Sequence, residues 1–322
     1  MIITKTPYRI SFFGGGSDYP IWYNKFGGKV LSTTIDKYLY LTCRSLPNFW
    51  DHSFRVVWSM IEEVKNIENI KHPTVRSLLK YLKIKKGLEI HYNGDLPAKT
   101  GMGSSSSFTV GLIKTLSIMQ KQKLSGVALA KKTIFFEQKI MKEVVGSQDQ
   151  VAASIGGFNK INFYKKNKII ITKQPEKNLK KLNSNLMLLY TGIQRTAQDI
   201  AKTYEKNLTG SKEKNVLKIM RHVDQAEKLI KNGELKNFGE LLNESWEEKK
   251  KISKLISNNK IDKLYNFSLK NGAVGGKLLG AGGGGFLLLY VPKEKQLNLT
   301  KKLKKTIIVP FKFSQNGSEE IK

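Results

Sequence analysis

Four consecutive serines behind two glycines, in DLPAKTGMGSSSS at residues 95–107, constrain this chain more than any other stretch. Upstream, LEIHYN (88–93) alternates like a half-buried strand. Downstream, Phe108, Leu112, Leu116 and Met119 recur at helical spacing, with Val110 and Ile113 widening the apolar face. A Gly/Ser-rich piece without such flanks reads as a flexible linker. Between a strand and a helix it reads as a tight turn. Such a turn presents free backbone N–H groups, the positive end of a helix dipole and several hydroxyls to an anion. The order strand, glycine turn, helix predicts a phosphate cradle.

The cradle is neither of the two commonest kinds. It lacks the Lys-Ser/Thr ending of a Walker A loop, and Ser106 stands where the dinucleotide pattern needs its third glycine. Serine hydroxyls of such a loop are also hard-oxygen ligands suited to Mg²⁺. Three further stretches carry possible chemistry. In GSQDQVAASIGG (146–157), Ser147 followed three residues later by Gln150 is a capping box, so a short helix begins there. Asp149 falls in its first turn, where the helix dipole favours negative charge; by itself it could simply serve that dipole. Glu137 lies on a preceding helix and alone reads equally well as an exposed helical glutamate. TPYRISFFGGGSDYP (6–20) ends a strand with three glycines and Asp18, either a hairpin turn or a close backbone approach with a carboxylate for a polyol. KLLGAGGGG (277–285) precedes a strand, the reverse order from the cradle, and fits a loop crossing close to another backbone.

Composition narrows the class. With 322 residues, 40% of them apolar, the chain has enough material for one large or two ordinary globular domains. The longest unbroken apolar run, FLLLYV (286–291), is far below a membrane span, and MIITKTPYRI lacks the basic start and apolar centre of a signal peptide. A single cysteine, Cys43, excludes an intrachain disulfide and a Cys-rich zinc site. The chain reads as cytoplasmic, with no membrane partner. The net charge of +30 raises nucleic acid as a partner. However, lysines are spread through every segment (KKNK at 165–168, EEKKK at 247–251, KKLKK at 301–305) with no Arg-rich, aromatic-interleaved stripe. Solvated faces account for that pattern, and no nucleic-acid partner is expected.

Along the chain, strands are predicted in IITKTPYRISFF, VLSTTI, YLYLT, LEIHYN, FNKINFY, KIIIT, LMLLYT, FLLLYV and TIIVPFKF. Helices are predicted near 74–83, from the cradle to about 120, over 127–142, in several pieces between 196 and 271, and near 293–305. Pro175 and the charged stretch 175–185 mark a boundary, giving domains of 1–180 and 181–322. The alternation describes two α+β layers without an internal repeat.

Taken together, TPYRISFFGGGSDYP, DLPAKTGMGSSSS, GSQDQ and KLLGAGGGG, in this order and spacing, resemble the GHMP kinases, the galacto-, homoserine, mevalonate and phosphomevalonate kinases. The resemblance runs from about residue 4 to 290. GGGSDYP, GSQDQ and YTGIQR (190–195) are most similar to the branch acting on D-glycero-D-manno-heptose 7-phosphate. Galactokinases carry Glu-His-Thr-Asp where this chain has Gly15, Gly16, Ser17 and Asp18, and mevalonate kinases carry a Glu-His pair that is absent here.

The resemblance implies an α+β, two-domain fold: a ribosomal-protein-like βαβ N-terminal domain and a ferredoxin-like C-terminal domain, with the site between. It implies ATP with its phosphates along residues 99–107, held by Lys99, Thr100, Gly101, Met102, Gly103, Ser104, Ser105 and Ser106. Mg²⁺ would be held by Ser104 or Ser105 and by Glu137, twelve residues before Asp149. Asp149 would face the acceptor hydroxyl as base or orienting group, and Arg9 would offset charge on the transferred phosphoryl. Gly15, Gly16, Ser17, Asp18 and Gly283 would contact the sugar. Arg195, which could instead pair with Asp199 one turn on, is the first candidate for a phosphate already on the substrate. The implied reaction makes the 1,7-bisphosphate, in the supply of nucleotide-activated heptose for surface polysaccharide. Another sugar-1-kinase of the superfamily is the nearest alternative; a nucleic-acid-binding protein on a similar fold would explain the basic charge but not Asp149, Glu137 and three glycine loops together. A homodimer is left open.

Overall fold

A computed structural model describes residues 1–195 and 197–321. Two long strands, Ile2–Phe13 and Gly28–Ser45, pair antiparallel from Ile2 opposite Cys43 to Phe13 opposite Leu31. The second strand runs 18 residues, so its first half also pairs with Phe158–Tyr164 and its second half with Leu88–Gly94. Phe54–Val57 adds in parallel beside Leu88–Gly94, and Ile61–Val64 closes that edge. Lys168–Lys173 extends the other side. Among the described residues this sheet has nine strands.

The helix Ser104–Met119 lies across the two long strands, as the apolar face at Phe108, Leu112 and Leu116 requires. It is tied down by the Thr4–Thr115 hydroxyl pair at 2.7 Å. The register of the long pair slips between Pro7 and Arg9, where proline withholds a ladder donor. That irregularity sits directly before the one arginine of the strand.

A second, four-stranded sheet runs Ile308–Val309, Leu186–Tyr190, Phe286–Tyr290, Gly275–Leu278, all antiparallel. The helix Leu235–Lys250 packs on Gly275–Leu278 and also reaches Ile2–Phe13. Its Phe238 meets Phe12 and Phe13 edge-on, with ring centroids 5.5 and 5.2 Å apart. One apolar core therefore passes from Tyr8 and Phe12 through Phe238 to Phe286.

The structure alters three expectations. TIIVPFKF is two short strands: Ile308–Val309 pairs in the second sheet, while Phe313–Ser314 pairs with Gly28–Ser45 in the first. Pro310, with no N–H to donate, stands at the break. Glu319–Glu320 then joins Ile2–Phe13, so the end of the chain belongs to the first sheet. The helix expected over 127–142 is α-helical at Gly126–Phe135 and opens into a π-turn at Phe136–Ile140. The capping box at Ser147 does not form. The helix begins at Gln148, but the Ser147 hydroxyl accepts from Gln138 Nε2 at 3.0 Å, and Gln150 turns to Glu137. No helix among the described residues is long and apolar enough to cross a membrane.

Candidate active site

The cradle is built from strained backbone leaning on a second loop. Gly101 has φ +77°, and a Cβ there would come within 2.5 Å of the Leu279 carbonyl oxygen, so no side chain fits. Phe286 N–H donates to the Thr100 carbonyl at 3.2 Å. The stretch KLLGAGGGG is therefore the surface on which the cradle rests. Gly103, left-handed at φ 77°, ψ 21°, turns the chain into the helix Ser104–Met119, and no side chain caps that end. The first N–H groups of an uncapped helix face outward and, with the dipole, favour an anion.

At this helix end stand Arg9 and Asp149. A Cβ on Gly103 would lie 3.2 Å from Asp149 Oδ2 and 3.3 Å from Arg9 Cγ. Arg9, only 4% exposed, donates from Nε to Asp149 Oδ1 at 2.7 Å and from Nη2 to Oδ2 at 2.8 Å. Its Nη1 donates to the Gly101 carbonyl at 2.6 Å. This bidentate grip fixes the carboxylate plane and ties it to the cradle.

Asp18 sits beside them, 1% exposed. Its carboxylate accepts from Gly16 N–H at 3.1 Å and Gln148 N–H at 3.3 Å. It thus caps the Asp149 helix from 130 residues away, which the local capping box does not do. Burial, and then the neighbouring Asp149, push Asp18 up to about 6.

Glu137 is also buried, at 1% exposure, on the π-turn, a feature frequent at functional sites. Its Oε2 accepts from Ser106 Oγ at 3.0 Å and from Gln150 Nε2; its Oε1 has no partner among the described residues. Burial pushes it up to about 7. Ser104 and Ser105 make no side-chain bond to it, so the serine that meets Glu137 is Ser106. The described residues contain no cluster of three or more His, Cys, Asp or Glu able to hold a metal. A single carboxylate with an unpartnered oxygen beside serine hydroxyls and an anion cradle nevertheless fits Mg²⁺, which takes few protein ligands alongside phosphate oxygens.

A cavity of about 480 Å³, a size suited to small-molecule ligands, is lined by Arg9, Asp18, Asp149 and the cradle; Glu137 does not line it and meets its wall through Ser106. One end is aromatic: His72 stacks on Phe108 at 4.8 Å, with Trp58 and Tyr92 edge-on to them. Glu62 holds that wall, accepting from Trp58 Nε1 at 2.8 Å and from the His72 backbone N–H at 3.0 Å. The other end, around Asp18, carries Tyr19 and Tyr204, ring centroids 6.4 Å apart, and Lys249 and Lys277.

The predicted residues divide accordingly. Arg9, Gly15, Gly16, Asp18, Lys99, Gly101, Gly103, Ser104, Ser105, Ser106, Asp149 and Arg195 line the cavity. Thr100 and Met102 are buried, and the Thr100 hydroxyl donates to the Pro97 carbonyl. Ser17 is spent on the turn, bridging the Gly14 and Lys29 carbonyls at 2.7 and 2.8 Å. Gly283 is off the wall, its N–H bound to the Ile256 carbonyl. Arg195 is exposed beside the cradle, its N–H donating to the Lys99 carbonyl at 3.1 Å, and no ion pair joins it to Asp199 among the described residues. Lys249, Lys277 and the aromatic wall escape a sequence reading, because a lysine in EEKKK and scattered aromatics carry no motif.

An anion cradle at an uncapped helix end, with an arginine and a carboxylate beside it, is an arrangement suited to phosphoryl transfer. The comparisons agree. The chain matches the GHMP kinases N terminal domain over residues 68–157 and the GHMP kinases C terminal domain over 226–308. It is 29% identical over 337 residues to the D-glycero-alpha-D-manno-heptose 7-phosphate kinase of Campylobacter jejuni, covering 98% of this chain and 97% of that one. To the mevalonate kinase of Methanocaldococcus jannaschii it is 30% identical over 255 residues, 76% of this chain and 78% of that one. Its fold superposes on a D-glycero-D-manno-heptose 1-phosphate kinase from Bacteriodes thetaiotaomicron with TM-score 0.80 at 21% identity, covering 100% and 99% of the two chains. The chain belongs to the GHMP kinases. It is an ATP-dependent sugar kinase with the two-domain fold of that family.

Proposed function

We propose that the sugar is D-glycero-D-manno-heptose 7-phosphate, phosphorylated at its anomeric hydroxyl to the 1,7-bisphosphate. The observation that carries this is the end-to-end similarity to a kinase named for that substrate. An anomeric hydroxyl is more acidic than an ordinary alcohol, so a carboxylate suffices to orient it and take its proton.

Asp149 does this from a plane fixed by Arg9, and Arg9, on the same cavity wall, offsets charge on the transferred group. The N–H groups of Ser104, Ser105 and Ser106 hold phosphate oxygens, and the wall of Trp58, His72, Tyr92 and Phe108 takes the purine. Asp18 and the backbone of Gly15 and Gly16 hold sugar hydroxyls. Glu137 and Ser106, with Ser104 or Ser105, hold Mg²⁺, which when bound supplies charge neutralisation on the phosphoryl group. The product suits the supply of nucleotide-activated heptose.

A coupled ADP-release screen across hexoses, heptoses and their phosphates tests the reading. The highest kcat/KM is expected on the 7-phosphate. A preferred hexose would move the chain to another sugar kinase of the family.

A further inference from the structure

The EEKKK run looks like a solvated face, and for two of its lysines it is: Lys250 pairs with Glu247 at 2.8 Å and Lys251 with Glu248 at 2.9 Å. Lys249, although it shares the Trp246 ring with Lys250 (Nζ 5.9 and 5.8 Å from its centroid), reaches the cavity wall. Its ammonium meets only backbone, the Gly280 carbonyl at 2.5 Å and the Leu278 carbonyl at 3.4 Å. Lys277, 5% exposed on the adjoining strand, likewise donates to one carbonyl, that of Phe12, at 2.6 Å. Among the described residues neither has a carboxylate within ion-pair distance. An ammonium carries three donors, so both keep some unspent. Burying unpaired cations is costly, and two side by side more so: burial pushes Lys249 down to about 7 and Lys277 well below the usual lysine range, a cost that a bound anion would offset.

The other cations of the cavity are already placed. Arg9 is committed to Asp149 and Gly101, while Lys99 and Arg195 flank the cradle. Lys249 and Lys277 are close enough to Asp18 and Arg9 to feel their charge. Both therefore stand near Asp18, and Lys249 also reaches the Gly280 carbonyl of the loop beneath the cradle. A dianion there resolves their unpaired state.

We infer that Lys249, with Lys277 beside it, grips the phosphate already present on the sugar substrate, a role that the sequence would assign to Arg195. This rests on the heptose-phosphate reading above.

The test compares wild type, Lys249→Gln, Lys277→Met and Arg195→Ala on heptose 7-phosphate, on the unphosphorylated heptose and on ATP. Loss of one charge-assisted contact should raise KM for the 7-phosphate by about tenfold or more in Lys249→Gln. The preference for phosphorylated over unphosphorylated sugar, as a ratio of kcat/KM, should fall by about the same factor, with KM for ATP within about twofold. Arg195→Ala should leave that ratio within about twofold. Equal losses on both sugars, or a raised KM for ATP in place of the sugar phosphate, would overturn the inference.

If wild type phosphorylates neither heptose, the substrate reading fails, and the anion site is read separately. With the cradle filled by a non-hydrolysable ATP analogue, inorganic phosphate should raise the thermal midpoint of wild type and not of Lys249→Gln. No rise in wild type, or an equal rise in both, overturns the site itself.

Discussion

Two glycine-rich loops lie back to back in this protein, 99–103 and 280–285. Both have left-handed glycines, yet each leads into a different kind of element. The first runs into a helix whose uncapped N–H groups face a cavity; the second runs into the strand Phe286–Tyr290, whose N–H groups are taken by neighbours. Glycine is abundant on both sides of the contact. The next secondary-structure element decides which loop turns free N–H groups to the cavity and which chiefly holds the first loop up, although Gly280 and Ala281 also border the cavity.

That contrast can be broken from either side. Substitutions facing the first loop should act on rate, and those in the second on stability. Asp149→Asn keeps the side-chain shape but weakens the group that faces the acceptor. It should lower kcat by about 10²-fold or more while ATP still binds, as steady-state kinetics and nucleotide titration would show. Wild-type kcat would remove Asp149 from the chemistry.

Gly285→Ala attacks the support. With φ +99° and a Cβ within 2.1 Å of the Thr100 oxygen, it should cost about 3 kcal/mol or more in urea unfolding, with kcat of the remaining folded fraction little changed. A stable variant with lost turnover would reverse the division between the loops.

Glu137 sharpens the comparison, because the first loop's side carries the destabilising charge. Burial holds its folded value near 7 against an ordinary 4.5, so the folded chain keeps this proton more tightly than the unfolded one. Its contribution to stability is full below about pH 4.5 and is lost as pH rises through 7. Glu137→Gln should therefore stabilise the apo protein by about 1–3 kcal/mol near pH 8 and by nearly nothing near pH 4, while raising the Mg²⁺ needed for half-maximal rate. A gain independent of pH would place the proton elsewhere. A smaller effect is expected for Ser106→Ala, a shift of a few-fold in that Mg²⁺ requirement. Ser104→Ala should move it less; the opposite order would return the metal role to Ser104.

Local features were legible in the sequence, and long-range ones were not. The strand–turn–helix order of the cradle is written in apolar spacing and two glycines, and the Asp149 helix starts where expected. Its cap is different: Asp18 supplies from another segment what Ser147 and Gln150 would supply locally, because those two side chains are drawn to Gln138 and Glu137. Glu137 reads as surface by its helical neighbours, and only the packing of Ser106 and Gln150 around the π-turn buries it. Lys249 is one of three lysines in a row, and only the fold separates it from the two that pair with glutamates. The last strands leave the second sheet for the first because Pro310 interrupts a run that periodicity alone would continue.

The most direct test is the product itself. Incubating the enzyme with Mg²⁺, ATP and D-glycero-D-manno-heptose 7-phosphate, and tracking ³¹P resonances, should show one new phosphate ester coupled to the anomeric proton. It should grow in step with ADP and be nearly absent with Asp149→Asn. ADP without a new ester, or an ester on any other hydroxyl, would contradict phosphoryl transfer to the anomeric oxygen.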